Sequence, residues 1–108
     1  MKLPMEIFGN VVVVHTPEEL GEDQSGQLAA FLTTLDRVNV ILDLDGTESI
    51  DSEGLTTLLE TQESLRKVEG DLRISTTNKV NRKILEITRL DQHLEVYDSV
   101  IDAVKSFV

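Results

Sequence analysis

The chain has 108 residues, a formal net charge of −10 and no cysteine. A disulfide framework and a thiolate metal site are excluded, and the acidic balance argues against a nucleic-acid binder, since phosphate contacts need a basic patch. Apolar residues make up 40% and charged residues 28%, so the chain can bury a core and is not a disordered tail. No apolar run approaches the roughly 20 residues of a membrane span, and Met1-Lys2-Leu3-Pro4 lacks the apolar core of a signal peptide. The expectation is a single cytoplasmic domain over residues 1–108, with no membrane and no nucleic acid as partner. An acidic surface steers towards basic partners, or serves solubility alone.

In chain order, Leu3, Met5 and Ile7 alternate with Pro4, Glu6 and Phe8, which predicts a half-buried strand, at an edge because of Pro4. Gly9-Asn10 is a turn signal into Val11–Val14, a β-branched run that reads as a central strand covered on both faces. Thr16-Pro17-Glu18-Glu19 has the form of a capping box, but Gly21 and Gly26 interrupt it. The first helix therefore starts somewhere between Thr16 and Ser25. Its body is marked by Leu28, Phe31, Leu32 and Leu35. The next buried strand is Val38 to Leu44.

A second helix follows Asp51 and runs to about Val68, with Gly70 as its C′ residue. Leu72 and Ile74 mark another strand. Thr77 or Asn78 starts a third helix with Val80, Ile84, Leu85 and Ile87 on one side. Leu94 and Val96 form a last strand, and Asp98 or Ser99 caps a final helix carrying Val100, Ile101, Val104 and Phe107. The order β-β-α-β-α-β-α-β-α is α/β, a mixed, mostly parallel central sheet with about four helices and right-handed crossovers.

The stretch Asp51-Ser52-Glu53-Gly54-Leu55 sits where strand passes through a short turn into helix. Asp51 or Ser52 can accept a hydrogen bond from a free N–H of the first turn, leaving the other to present its polar group at the tip. Gly54 lets a neighbouring backbone or a partner approach closely. Read on their own, these residues are a plain helix cap or a regulatory hydroxyl beside a carboxylate.

With the elements placed, the chain resembles the STAS domain, the fold of bacterial anti-sigma factor antagonists. Val40-Ile41-Leu42-Asp43-Leu44 followed by Ile50-Asp51-Ser52-Glu53-Gly54-Leu55 looks like the family's central motif, an apolar strand, a loop and Asp-Ser-x-Gly-Leu. Val80, Arg82, Leu85, Leu90, Val96-Tyr97-Asp98-Ser99 and Ala103 are similar to its usual ending. The likeness covers roughly residues 5 to 107. It implies a phosphorylation switch. A partner anti-sigma factor with kinase activity would phosphorylate Ser52 and lose its grip on the antagonist, and a phosphatase would reset it. The surface implied for that partner is Asp51, Ser52, Glu53, Gly54, Thr56 and Thr57. No catalytic residue and no cofactor are expected. Two positions depart from the family: His15 to Asp23 replaces its Gly-rich turn after the second strand, and Arg89 stands where it often has glycine before Leu90. Stressosome-like or other scaffold and ligand-binding modules share the resemblance and are the alternative reading.

The remaining candidates carry less chemistry. Asp43, Asp45, Glu48 and Asp51 are close in sequence, but their spacing matches no calcium loop, and no metal site is expected. His15 and His93 are far apart and read as structural or solvated. No Gly-x-Ser-x-Gly elbow, P-loop or dinucleotide fingerprint is present, so no enzyme is predicted. On the second helix Leu55, Leu58, Leu59 and Leu65 read as core. Thr56, Thr57, Glu60, Gln62, Glu63 and Arg66 read as a solvated face, part of which could be a partner's footprint. Lys79, Arg82, Lys83 and Arg89, the one basic cluster, read as the polar face of the third helix.

Overall fold

The apolar runs Val11–Val14 and Val40–Leu42 lie in neighbouring parallel strands of one sheet, buried on both faces. The computed structural model describes residues 2–107. Its strands are β1 (Met5–Phe8), β2 (Val11–His15), β3 (Glu19–Leu20), β4 (Asn39–Asp43), β5 (Ser49–Ile50), β6 (Asp71–Ser75) and β7 (Val96–Tyr97). Its helices are α1 (Glu22–Thr33), α2 (Ser52–Arg66), α3 (Lys79–Ile87) and α4 (Val100–Lys105), with a 3₁₀ turn at Leu90–Gln92. The main sheet has the order β1-β2-β4-β6-β7. Only the β1–β2 pair is antiparallel, as a hairpin turning at Gly9, whose φ of +62° suits a residue without a Cβ. This is the α/β architecture expected, with four helices and a mixed, mostly parallel sheet.

Side chains alternate between two cores. On one face Val12, Val14, Val40, Leu42, Leu72 and Ile74 pack with Leu28 and Leu32 of α1, Leu58 of α2 and Leu85 of α3. On the other, Val11, Val13 and Ile41 meet Ala103, with Val100, Val104 and Phe107 closing over them. Arg73 fixes this second layer. Its guanidinium lies 4.0 Å from the centre of the Phe107 ring and donates to the Ser106 carbonyl at 2.7 Å.

Several expectations need correction. The edge strand β1 is not half-buried: all four of its residues are exposed. Thr16 does not cap α1. Its hydroxyl donates instead to the Asp43 carbonyl, and α1 begins at Glu22, inside the expected interval, behind Gly21, whose N–H is bound by the Gln24 side chain. Two short strands that were not expected, β3 inside the stretch left for the start of the first helix and β5 in the turn before Asp51, pair in parallel. The end of α2 closes through Glu69, not Gly70, in the left-handed region (φ +66°), with Gly70 N–H reaching back to the Leu65 carbonyl as in a Schellman turn. Gly70 is needed for a different reason: a Cβ there would lie 2.1 Å from the Val38 carbonyl oxygen. On α3 the buried residues are Asn81 and Leu85, while Val80 and Ile87 point to solvent.

Arg89, where the family often has glycine, has φ +62° and ψ +19°. That left-handed conformation costs a residue with a Cβ about 1–2 kcal/mol. Arg89 is exposed, and its N–H bond to the Glu86 carbonyl survives any substitution but proline. Arg89→Gly is therefore expected to raise stability by about 0.5–1 kcal/mol after the greater freedom of glycine in the unfolded chain is discounted. A urea midpoint that failed to rise would show that the Arg89 side chain holds something the left-handed strain does not outweigh.

His15 joins three strands. Its Nδ1 lies 2.8 Å from Asp43 Oδ2 on β4 and its Nε2 lies 2.7 Å from Glu6 Oε1 on β1. A neutral imidazole has one N–H and would turn a lone pair on one carboxylate; the imidazolium satisfies both. The Glu6 bond raises the His15 pKa above its usual 6.5, and Asp43 adds to this against the opposing effect of burial. A raised folded-state pKa stabilises fully below the unfolded value and ceases to do so as pH rises through the folded one. Wild-type stability should thus fall relative to His15→Gln as pH climbs from 6.5 through the folded-state value. Parallel thermal midpoints for the two proteins across that range would contradict this pairing.

Candidate functional site: the start of helix α2

The parallel strands β2, β4, β6 and β7 all end at one edge of the sheet, the edge where open α/β sheets place their ligands. The loop from Leu44 to Glu48 leaves that edge and leads into β5 and α2. It is held from every side. Leu44 N–H donates to the Ser75 carbonyl (2.9 Å) and Glu48 N–H to the Glu18 carbonyl (2.7 Å). Thr47 Oγ1 donates to the Pro17 carbonyl (2.6 Å), and Asn81 Nδ2 from α3 donates to the Leu44 and Thr47 carbonyls (3.1 and 2.8 Å). Asp51 N–H then bonds the Leu20 carbonyl at 3.2 Å, tying the start of α2 to β3.

Asp51 is the N-cap of α2. Its Oδ1 accepts from Gly54 N–H at 3.0 Å and its Oδ2 from Glu22 N–H at 3.1 Å. One carboxylate thus binds free N–H groups at the starts of both α1 and α2. The Gly54 bond above all holds its pKa below the usual carboxylate value. Because Asp51 is the cap, the Ser52 hydroxyl has no capping task. Ser52 is the first residue of the 15-residue α2 and is exposed.

Gly54 is buried, and the close neighbour is the chain itself: a Cβ would stand 2.1 Å from the Leu20 carbonyl oxygen. The absence of a side chain lets α2 start against β3, which orients Ser52. Thr57 is also buried, its hydroxyl donating to the Glu53 carbonyl, and Gln62 is buried with its amide on the His93 carbonyl. The expected solvated face of α2 is accordingly narrower. Of the six residues assigned to a partner surface, Asp51, Ser52, Glu53 and Thr56 are exposed, and Gly54 and Thr57 lie beneath them.

The acidic residues grouped by sequence do not converge. Asp43 binds His15, Asp45 accepts from Thr77 N–H, and Asp51 caps helices. Among the described residues no group of three or more His, Asp or Glu side chains is arranged to hold a metal ion. Beside Asp51 lies a shallow pocket of about 300 Å³, lined in part by Glu19, Glu22, Asp23 and Ser49. Sequence reasoning missed its α1 side. The one signal was Gly21 ahead of an acidic pair, a helix start whose position is set by the distant Asp51. No helix among the described residues is long and apolar enough to cross a membrane.

Residues 2–103 match the STAS domain model, and the chain belongs to that family. No curated protein matches it in sequence. Solved structures share the fold at low identity. A Thermotoga maritima protein provisionally assigned as an anti-sigma factor antagonist is 22% identical, with a TM-score of 0.86 over 96% of this chain and 92% of that one. A sulfate transporter family protein from Wolinella succinogenes is 20% identical, with a TM-score of 0.81 over 94% of this chain and 87% of that one. The Bacillus cell fate determinant SpoIIAA, in its phosphorylated form, is 18% identical, with a TM-score of 0.73 over 99% and 100%.

Proposed function

We propose that this protein is an anti-sigma factor antagonist, a non-enzymatic cytoplasmic binding module that a partner anti-sigma factor with kinase activity switches off by phosphorylating Ser52. The observation that carries the reading is the Ser52 hydroxyl, exposed at the first residue of α2 and spared from capping by Asp51. The partner covers Asp51, Ser52, Glu53 and Thr56, and a phosphatase restores the unmodified state. The fold tolerates the phosphate, because a helix N-terminus favours an anion by about 0.3–1 kcal/mol at an exposed site. The covered complex does not, because the dianion would be desolvated beside Asp51 and Glu53. A second reading, a scaffold or ligand-binding STAS module without a switch, draws on the same fold in a sulfate transporter family protein.

Incubation with the cognate kinase and ATP, followed by peptide mapping, should place the phosphate on Ser52. The nearest competitors are less suited. Thr47 is fully buried, Thr56 donates to the Ser52 carbonyl, and Ser49 is exposed within β5. Phosphate on Thr77 or Ser99 with none on Ser52 would overturn the assignment.

A further inference from the structure

Helix α3 has a surface that the Ser52 site does not use. Its inner side is Asn81 and Leu85, yet its apolar residues continue round to the outside. Val80, Ile84 and Ile87 recur at i, i+4 and i+7, one stripe along a helix. Val80 is 65% and Ile87 70% exposed, and Ile84 is half-buried. Single exposed apolar side chains are ordinary, but three in one row make a face. The face is also basic. Four of the chain's ten Lys and Arg residues, Lys79, Arg82, Lys83 and Arg89, fall between positions 79 and 89 of a protein with net charge −10, against one acidic residue there, the exposed Glu86. Arg82 is turned aside to Asp98 at 2.7 Å, which leaves Lys79 and Lys83 exposed along the helix. The platform is rigid: Asn78 caps it, accepting from Val80 and Asn81 N–H, and Asn81 ties it to the Leu44–Thr47 loop. A docking segment meets a helix whose backbone is already held in place.

We propose that this face of α3 docks an acidic amphipathic helix of a partner protein, with apolar side chains on Val80, Ile84 and Ile87 and carboxylates beside Lys79 and Lys83. Apolar anchors at helical spacing recognise a helix, and the local charge selects an acidic one. An anionic bilayer fits less well, because the rest of this acidic protein would be repelled from it. A second copy of this chain also fits less well. The exposed side of α2 interleaves Glu53, Glu60 and Glu63 with Thr56, and α4 exposes one large apolar residue, Ile101. Neither helix presents an acidic apolar stripe.

The test is amide NMR of the full chain, titrated with a synthetic helical peptide of Leu and Glu at heptad spacing, with the same peptide carrying Lys for Glu, and with phosphatidylglycerol vesicles. The acidic peptide should shift α3 resonances, bind more weakly as salt is added, and bind Ser52→Asp as it binds wild type. The double variant Val80→Ser, Ile87→Ser changes two exposed side chains, so an unchanged thermal midpoint is expected, with affinity lower by about tenfold or more. No binding, equal binding of both peptides, shifts centred elsewhere, or binding to vesicles alone would overturn the proposal. So would a doubled sedimentation mass without peptide that disappears in the double variant, because it would make the occupant a second copy.

Discussion

Leu42→Ala is expected to lower stability by about 2–5 kcal/mol, the range for truncating a fully buried leucine. Leu42 is 0% exposed, at the middle of the sheet, and it belongs to the core cluster that α1, α2 and α3 cover. Both neighbouring strands fix its position, through Val14 on β2 and Ile74 on β6. Packed on either side in this way, the site cannot collapse readily around a methyl group, and most of the cavity cost remains. Ser52→Ala, ten residues further on, is expected to be nearly neutral, since Asp51 and not Ser52 caps α2. Asp51→Ala falls between them, because it removes the N-cap of α2 and also deprives Glu22 N–H of its acceptor at the start of α1. Urea midpoints of the three variants should follow that order. Equal losses for Leu42→Ala and Ser52→Ala would give the serine hydroxyl a structural role incompatible with a free acceptor.

How far the sequence could be read depended on where the decisive interaction lies along the chain. Val11–Val14 and Val40–Leu42 declare buried parallel strands because both faces need apolar residues, a demand visible in an unbroken apolar run. Thr77 or Asn78, and Asp98 or Ser99, mark helix starts to within one residue because a cap acts within three residues, and the caps are Asn78 and Ser99. What stayed hidden depends on distant partners. Strands β3 and β5 have two residues each and exist because Glu19–Leu20 meets Ser49–Ile50 across the fold. Thr16 had the right neighbours for a cap, but its hydroxyl is taken by Asp43. Gly70 and Glu69 show the same limit at closer range. A glycine at a helix end suggests a positive φ, yet here Glu69 bears it, and Gly70 answers to the Val38 backbone.

At the site, the pentapeptide identified Asp51 and Ser52 as a pair without deciding which one caps. The decision comes from α1, whose Glu22 N–H takes the second Asp51 oxygen. On α2 and α3 the apolar spacing was visible, but its direction was not. A polar residue whose amide finds backbone carbonyls of another element, as Gln62 does with that of His93 and Asn81 with those of Leu44 and Thr47, takes an inward place. On α3, the inward place of Asn81 leaves Val80 and Ile87 outside.

Phosphorylated protein is expected to bind the proposed anti-sigma partner at least about tenfold more weakly than wild type, with Ser52→Asp between the two and Ser52→Ala close to wild type. In the free protein a negative group at position 52 meets the positive end of a 15-residue helix and open solvent, so folding survives. In the complex the same group is covered next to Asp51 and Glu53, with no Lys or Arg between Arg37 and Arg66 in the sequence to pair with it. Desolvation and like-charge repulsion then act on the bound state alone. Asp carries one charge where phosphoserine carries about −1.5 to −2, so the mimic falls short of the phosphate. Ser52→Ala removes the acceptor and leaves the exposed surface of Asp51, Glu53 and Thr56 intact. Isothermal titration of the four proteins against the partner would rank them, with thermal midpoints confirming that each is folded. Equal affinity for phosphorylated protein and Ser52→Ala would refute the switch. Loss of binding in Ser52→Ala alone would instead make the hydroxyl itself a binding group, with charge irrelevant.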